Sequence, residues 1–265
     1  MKRRDFLAGS ALAATATAGV GALAQEADQG GPDKGGREYY EMRTYKLTSR
    51  GSGGRRLNAF LRDAAIPAWN RMGIGPVGVF SGVFGGEWLD LQVLLPHPSM
   101  ESVANATAGL LDDKEFLKAA GDFLDTPIED PGYVRYESSL MIAFKDMPKM
   151  KAPEQKERIF ELRRYESHSI KAGQKKIHMF NEGGEIPIFN ETGLAPVFFG
   201  ETIMGAAQPN LTYMLTFDDL EDRAASWAKF VAHPKWEKLS SDPQYANTVS
   251  NISSIILRPT DYSQV

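Results

Sequence analysis

Tyr40-Glu41-Met42-Arg43-Thr44-Tyr45 returns 120 residues later as Phe160-Glu161-Leu162-Arg163-Arg164-Tyr165. The register holds well beyond this hexapeptide: Ile66, Pro67, Asn70, Gly73, Pro76 and Val77 reappear at the same offset as Ile186, Pro187, Asn190, Gly193, Pro196 and Val197. A period of that length is too long for a solenoid unit and is about the size of one small domain, so the chain reads as two tandem copies of one fold.

Each copy changes its hydrophobic period in the same order. In the first, Tyr39–Leu47 alternates as a strand, and residues 54–69 carry Leu57, Phe60, Leu61 and Ala64 at helical spacing. Two strands follow, Val77–Phe84 and Leu89–Leu95, joined through Gly85-Gly86; a helix capped by Ser99 runs to about Leu124, and Val134–Phe144 closes the copy. The second copy repeats this with strands at 159–166, 197–204, 211–217 and 252–257, and helices at 169–181, 220–231 and 234–239. The order β-α-β-β-α-β predicts an α+β fold of two tandem ferredoxin-like domains, each an antiparallel sheet with both helices on one face. The bare faces of the two sheets then need cover, which the copies supply to one another by enclosing a barrel-like interior within one chain.

Before the repeat lies an address. Lys2-Arg3-Arg4-Asp5-Phe6-Leu7 is a paired-arginine start, residues 8–23 form a weakly apolar run rich in Ala and Gly, and Ala22-Leu23-Ala24 offers small residues for cleavage. This resembles a twin-arginine export signal, and predicts a periplasmic or extracellular protein without stable membrane insertion once the signal is cut. The segments predicted are a signal peptide at 1–24, a Gly-rich tether at 25–37, domain one at 38–147, a Pro-broken linker at 148–157 and domain two at 158–262. There is no cysteine, which excludes disulfides, iron–sulfur sites and thiolate zinc sites. The net charge is −4, and −6 once Lys2, Arg3, Arg4 and Asp5 leave with the signal, so the basic footprint of a nucleic-acid binder is missing.

Glu41-Met42-Arg43-Thr44-Tyr45 and Glu161-Leu162-Arg163-Arg164-Tyr165 resemble the Glu-Leu-Arg-x-Tyr opening strand of NIPSNAP domains. His233-Pro234-Lys235-Trp236 is similar to that family's late Pro-x-Trp segment, where the first copy has Asp113-Lys114-Glu115-Phe116 instead. The resemblance spans most of residues 38–262 and implies a dimeric α+β barrel, here made within one chain. It brings no settled activity: barrels of this kind include cofactor-free monooxygenases, haem enzymes and plain binding proteins.

Alternation along the opening strands places Glu41, Arg43 and Tyr45 on one face and Tyr40, Met42 and Thr44 on the other. The more apolar face is expected to meet the helices. Glu41, Arg43, Tyr45, Glu161, Arg163 and Tyr165 are then expected to line a polar pocket between the sheets, with arginines able to fork onto an anionic ligand. The competing reading is that each Glu and Arg pair with one another for structure. Asn70–Gly73 and Asn190–Gly193 read as helix ends and turns. The four histidines, His97, His168, His178 and His233, make no metal pattern, and none is duplicated; His178, beside core positions on a helix, is the one considered as a haem ligand. No nucleophile elbow, phosphate loop or dinucleotide fingerprint occurs, so the catalytic residues are unknown, no metal is predicted, and no cofactor beyond that haem alternative is expected. The sequence thus predicts an exported protein holding a small molecule between its sheets, with further assembly as a homo-oligomer left open; the alternative is a barrel-type oxidoreductase, either a cofactor-free monooxygenase or a haem protein.

Overall fold

Eight antiparallel strands, four from each copy, close into one barrel in the order β1-β3-β2-β8-β5-β7-β6-β4. The computed structural model of the chain describes residues 36–48, 51–86 and 89–265; the expected signal peptide and all but the end of the tether lie outside these residues. The first copy contributes β1 (Tyr39–Lys46), β2 (Gly78–Phe84), β3 (Leu91–His97) and β4 (Arg135–Ala143), and the second β5 (Ile159–Glu166), β6 (Ala195–Met204), β7 (Asn210–Phe217) and β8 (Asn251–Pro259). The helices of the first copy are α1 (Gly53–Phe60), α2 (Ile66–Arg71), α3 (Met100–Asn105), α4 (Ala108–Asp112) and α5 (Lys114–Leu124). Those of the second are α6 (Ile170–Phe180), α7 (Glu185–Thr192), α8 (Leu220–Val231) and α9 (Pro234–Ser240). None of the described helices is long and apolar enough to cross a membrane. The architecture is therefore the expected intramolecular dimeric α+β barrel.

The two ferredoxin-like sheets join at their edges. β4 pairs with β6 through Met141↔Thr202 and Ala143↔Gly200, and β2 pairs with β8 through Phe80↔Pro259 and Gly82↔Leu257. Joining the edges satisfies backbone groups that an isolated four-stranded sheet would leave to solvent or to another chain. Beyond β8 the chain stays on the first copy: Thr260 N donates to Val79 O, and Gln264 N donates to Val77 O. The Tyr262 hydroxyl reaches Asn58 Oδ1 at 2.6 Å.

Three apolar clusters fill the molecule. One lies between the first copy's sheet and its helices, around Leu57, Leu61, Trp69, Val93 and Phe116; its counterpart in the second copy centres on Phe180, Phe189, Phe199, Tyr213 and Phe230. The third lies inside the barrel and draws on both copies, including Tyr40, Met42, Phe80, Phe160, Phe198 and Val265. Rings meet across the copies there: Tyr40 and Phe198 centroids are 4.8 Å apart, and Phe80 and Phe160 4.9 Å.

The local signals explain the helix ends. Ser99 and Asp219 each cap a helix from extended backbone, accepting from Ser102 N in one case and from Glu221 N and Asp222 N in the other. Asp113 and His233 do the same for α5 and α9, so the departure from Pro-x-Trp in the first copy keeps the cap and replaces the aromatic, with Phe116 where the second copy has Trp236. Gly73 and Gly193 adopt φ of +75° and +83°, a left-handed exit that a side chain would strain. The helix predicted over residues 99–124 is in fact three pieces: it breaks at Ala106–Thr107, and Asp113, in extended backbone, caps the last piece. Pro67 does not end its helix. A π-helical turn at Leu61–Ala65 precedes it and absorbs the missing donor, whereas the second copy breaks between α6 and α7.

Because both seams and the segment after β8 couple the copies, urea unfolding is expected to be one cooperative transition, with tryptophan fluorescence and circular dichroism coinciding. Phe160→Ala is expected to lower the stability of the whole by about 3–5 kcal/mol. Two separable transitions would show the copies to be independent.

Candidate functional site

The six sequence-predicted residues lie on the opposite side of the sheet from the one expected. Tyr45 packs with the helix-side cluster of the first copy, and Tyr165 against that of the second. Glu41 and Arg43 share the face of Tyr45, and Glu161 and Arg163 that of Tyr165. The two triplets are thus under different helices and never meet. It is the alternate face, Tyr40, Met42 and Leu162 with Phe160, that enters the barrel.

Under the helices, each carboxylate is saturated. Arg43 grips Glu41 with Nε and Nη2 at 2.7 and 2.8 Å, and Ser138 Oγ adds a bond of 2.6 Å. The Arg43 guanidinium also lies 5.3 Å from the Trp69 ring and 5.4 Å from Tyr136. His97, fully buried, stands with Nε2 3.6 Å from Glu41 and Nδ1 3.0 Å from Ser102 Oγ. In the second copy Glu161 accepts from Arg163 Nη1 at 2.7 Å, from Arg223 Nε and Nη2 at 2.9 and 2.6 Å, from Trp227 Nε1 at 2.8 Å and from Ser254 Oγ at 2.7 Å. Arg163 stacks 4.6 Å from Trp227.

This saturation sets the protonation of both carboxylates. Burial alone would raise the Glu41 carboxyl, but the His97 ring, Arg43 and the Ser138 hydroxyl outweigh it and bring it down to about 2. Burial likewise works against Glu161, and Arg223, Ser254, Trp227 and the Arg163 charge bring it down to about 2. Burial pushes the Tyr45 phenol up to about 12 although the Arg43 charge acts the other way. A second ion pair in this layer, Lys176 Nζ to Glu185 Oε2 at 2.8 Å, is shut between helices and rings; burial raises the Glu185 carboxyl despite the Lys176 charge beside it.

The cavity of interest opens at one end of the barrel. It encloses about 320 Å³. Its apolar wall is Met42, Met141, Leu162 and Ile255, and its polar wall includes Thr44, Gln92, Ser139, Arg164, Thr212 and Ser253. Strand register explains the grouping: Thr44 lies opposite Gln92 and Glu137, and Arg164 opposite Thr212 and Ser253. The Thr44 hydroxyl donates to Gln92 Oε1 at 2.7 Å, and Asn210 Oδ1 accepts from Thr202 at 2.6 Å and from Thr212 at 3.3 Å. Sequence reasoning missed these residues. The signal available was the recurrence of Thr, Ser and Gln on the face shared with Met42 and Leu162, which marks a wet barrel mouth above an apolar floor.

No histidine lines this cavity. His178 Nδ1 is 2.9 Å from the Tyr245 hydroxyl on the outer side of α6, His233 lies 3.3 Å from Glu191, and His168 is exposed. The lining of this cavity therefore presents a haem iron with no imidazole, thiolate or phenol, only the thioethers of Met42 and Met141. Among the described residues, no cluster of His, Asp and Glu could hold a metal ion.

Residues 160–264, within the second copy, match the NIPSNAP family model. No curated protein matches the sequence. A solved structure of a proposed monooxygenase from Lactobacillus acidophilus NCFM is similar over 84% of this chain and 94% of its own, with a TM-score of 0.57 at 9% identity. A proposed monooxygenase from Fusobacterium nucleatum aligns over 84% and 93%, with a TM-score of 0.52 at 9% identity. A NIPSNAP-like domain protein from Burkholderia xenovorans is 24% identical over 40% of this chain and 88% of its own, with a TM-score of 0.36. At these identities the likeness is one of fold.

Carboxylates held this low contribute stability that is complete above their unfolded value of about 4.5 and is lost as pH falls toward 2. Urea midpoints are therefore expected to drop from pH 6 to pH 3 by an equivalent of roughly 2–3 kcal/mol per carboxylate. Glu161→Gln should cost about 3–5 kcal/mol at pH 7, since it strands two arginines, and should shrink the acid-dependent loss. A pH-independent midpoint would contradict the ion-pair account.

Proposed function

We propose that the protein is an exported binding protein that holds one small, partly apolar molecule in the mouth of its barrel. The observation that carries this is the cavity itself. It is formed jointly by both copies, its volume of about 320 Å³ lies at the small end of ligand sites, and an apolar floor stands beneath a ring of hydroxyl and amide groups. Pairs locked within the protein, such as Thr44 with Gln92, fix part of that ring before any ligand arrives, which lowers the ordering cost of binding. The Glu-Arg-Tyr face, consumed by its own pairing, is given a structural role in this reading.

A second reading is oxidation of the bound molecule without a cofactor. What supports it is the barrel shared with two proposed monooxygenases, which is a likeness of fold. The two readings part at oxygen consumption in the presence of a bound compound.

Native mass spectrometry of the mature protein, purified without harsh washing, is expected to show a small-molecule adduct on the wild type. Ser253→Trp, which puts an indole into the mouth from β8, should abolish it while leaving the urea midpoint within about 1 kcal/mol of wild type. An adduct that persists in Ser253→Trp would place the ligand elsewhere.

A further inference from the structure

Deepening the barrel-mouth reading, on which it rests, we propose that the ligand is a small carboxylic acid with an apolar body, and that Arg164 is the residue that takes its carboxylate. Arg164 stands on the inward face of β5, one inward position beyond Leu162, and lines the cavity with Thr212 and Ser253 on the strands to either side. Its Nε is buried without a hydrogen-bond partner. Its ion-pair contact among the described residues is Glu166 Oε1 at 3.5 Å, where no aligned hydrogen bond forms, and that oxygen already accepts from Asn251 Nδ2 at 3.1 Å.

The other cations near the mouth are spoken for. Lys46 holds Asp90 at 2.5 Å, and Arg135 holds Glu137, the acid that lines the cavity, at 3.0 Å. Arg43 and Arg163, on the opposite face, are each bonded to a glutamate. Of these cations Arg164 is the one that lines the cavity, and among the described residues its ion-pair contact is the long one to Glu166. A guanidinium presents a planar fork that matches a carboxylate and strengthens markedly when partly shielded from water. The flanking Ser253 hydroxyl adds a donor, and the thioethers of Met42 and Met141 with Leu162 and Ile255 accept the rest of the molecule.

The duplication sharpens the argument. At the offset of 120 the counterpart of Arg164 is Thr44, whose hydroxyl is turned to Gln92. Glu41, Arg43 and Tyr45 return unchanged as Glu161, Arg163 and Tyr165, whereas all three inward positions differ, and of these the Thr44–Arg164 pair is the one that changes charge. The mouth therefore carries one forked cation on one wall, which suits a monoacid and orients it: carboxylate toward β5, apolar body toward the floor.

The test compares 1-naphthoate with its uncharged isostere 1-naphthamide at pH 7 by ligand-observed NMR titration against the mature full-length chain. Naphthoate is expected to bind the wild type about tenfold or more tightly than the amide. Arg164→Gln is expected to bring the acid to within about twofold of the amide without changing the urea midpoint or the amide affinity, and Ser253→Trp to remove both ligands. Equal affinity for acid and amide, with both lost in Ser253→Trp, would overturn the carboxylate assignment and leave the cavity standing. A preference for the acid that survives Arg164→Gln would remove Arg164 from the role. Failure of both compounds to bind would overturn the cavity reading and this inference with it.

Discussion

Closure of the sheet is the constraint on which the rest of this structure depends. A four-stranded ferredoxin-like sheet has two open edges and one bare face, and each is costly in water: the edges invite pairing with another chain, and the face exposes apolar surface. Pairing β4 with β6 and β2 with β8 disposes of both at once, since the edges hydrogen-bond to each other and the bare faces become the inside of a barrel. The two helical layers are then left outside, and β3 and β7 are buried along their whole length. The cavity and the buried ion pairs follow from that arrangement.

Two consequences run in opposite directions. On the helix side, space is scarce and the polar groups must find partners, so Glu41 and Glu161 are enclosed by arginines, hydroxyls and indoles. Such a pair repays its desolvation only if every lone pair is met, and the second copy meets that demand with five donors where the first uses fewer and a histidine nearby. Inside the barrel, space is left over. Tyr40, Phe80, Phe160, Phe198 and Val265 pack with the interior cluster, while hydroxyls and an arginine hold the mouth open to water. The same opening strand supplies both environments through alternate residues.

Element order was legible from the sequence because it is written in local chemistry: the cap at Ser99, the glycines at 73 and 193 that end helices, and changes of period between strand and helix. Which face of the strand looks inward was not. The rule that the more apolar face meets the helices presumes a sheet with one wet side, and here all seven residues of β3 and all eight of β7 are buried. With both faces dry over most of their length, alternation carries no sign, and a conspicuous Glu-Arg-Tyr row drew attention to a layer that is complete in itself. The arginine proposed to meet a ligand lies one residue along, at Arg164, on the face that lines the cavity. The breaks in the helix after β3, at Ala106–Thr107 and Asp113, carry no proline and no glycine at the break, so the helical period runs through them unmarked.

Joining the two halves in one chain also removes a degeneracy. In a barrel built from two identical subunits the mouth has two-fold symmetry, every polar group occurs twice, and an asymmetric molecule inside it has two equivalent poses. Here Thr44 and Arg164 occupy the related positions. The symmetry of the backbone survives while that of the lining does not, so the two walls of the mouth are chemically distinct, and each half of the sequence is free to change without imposing the same change on the other wall.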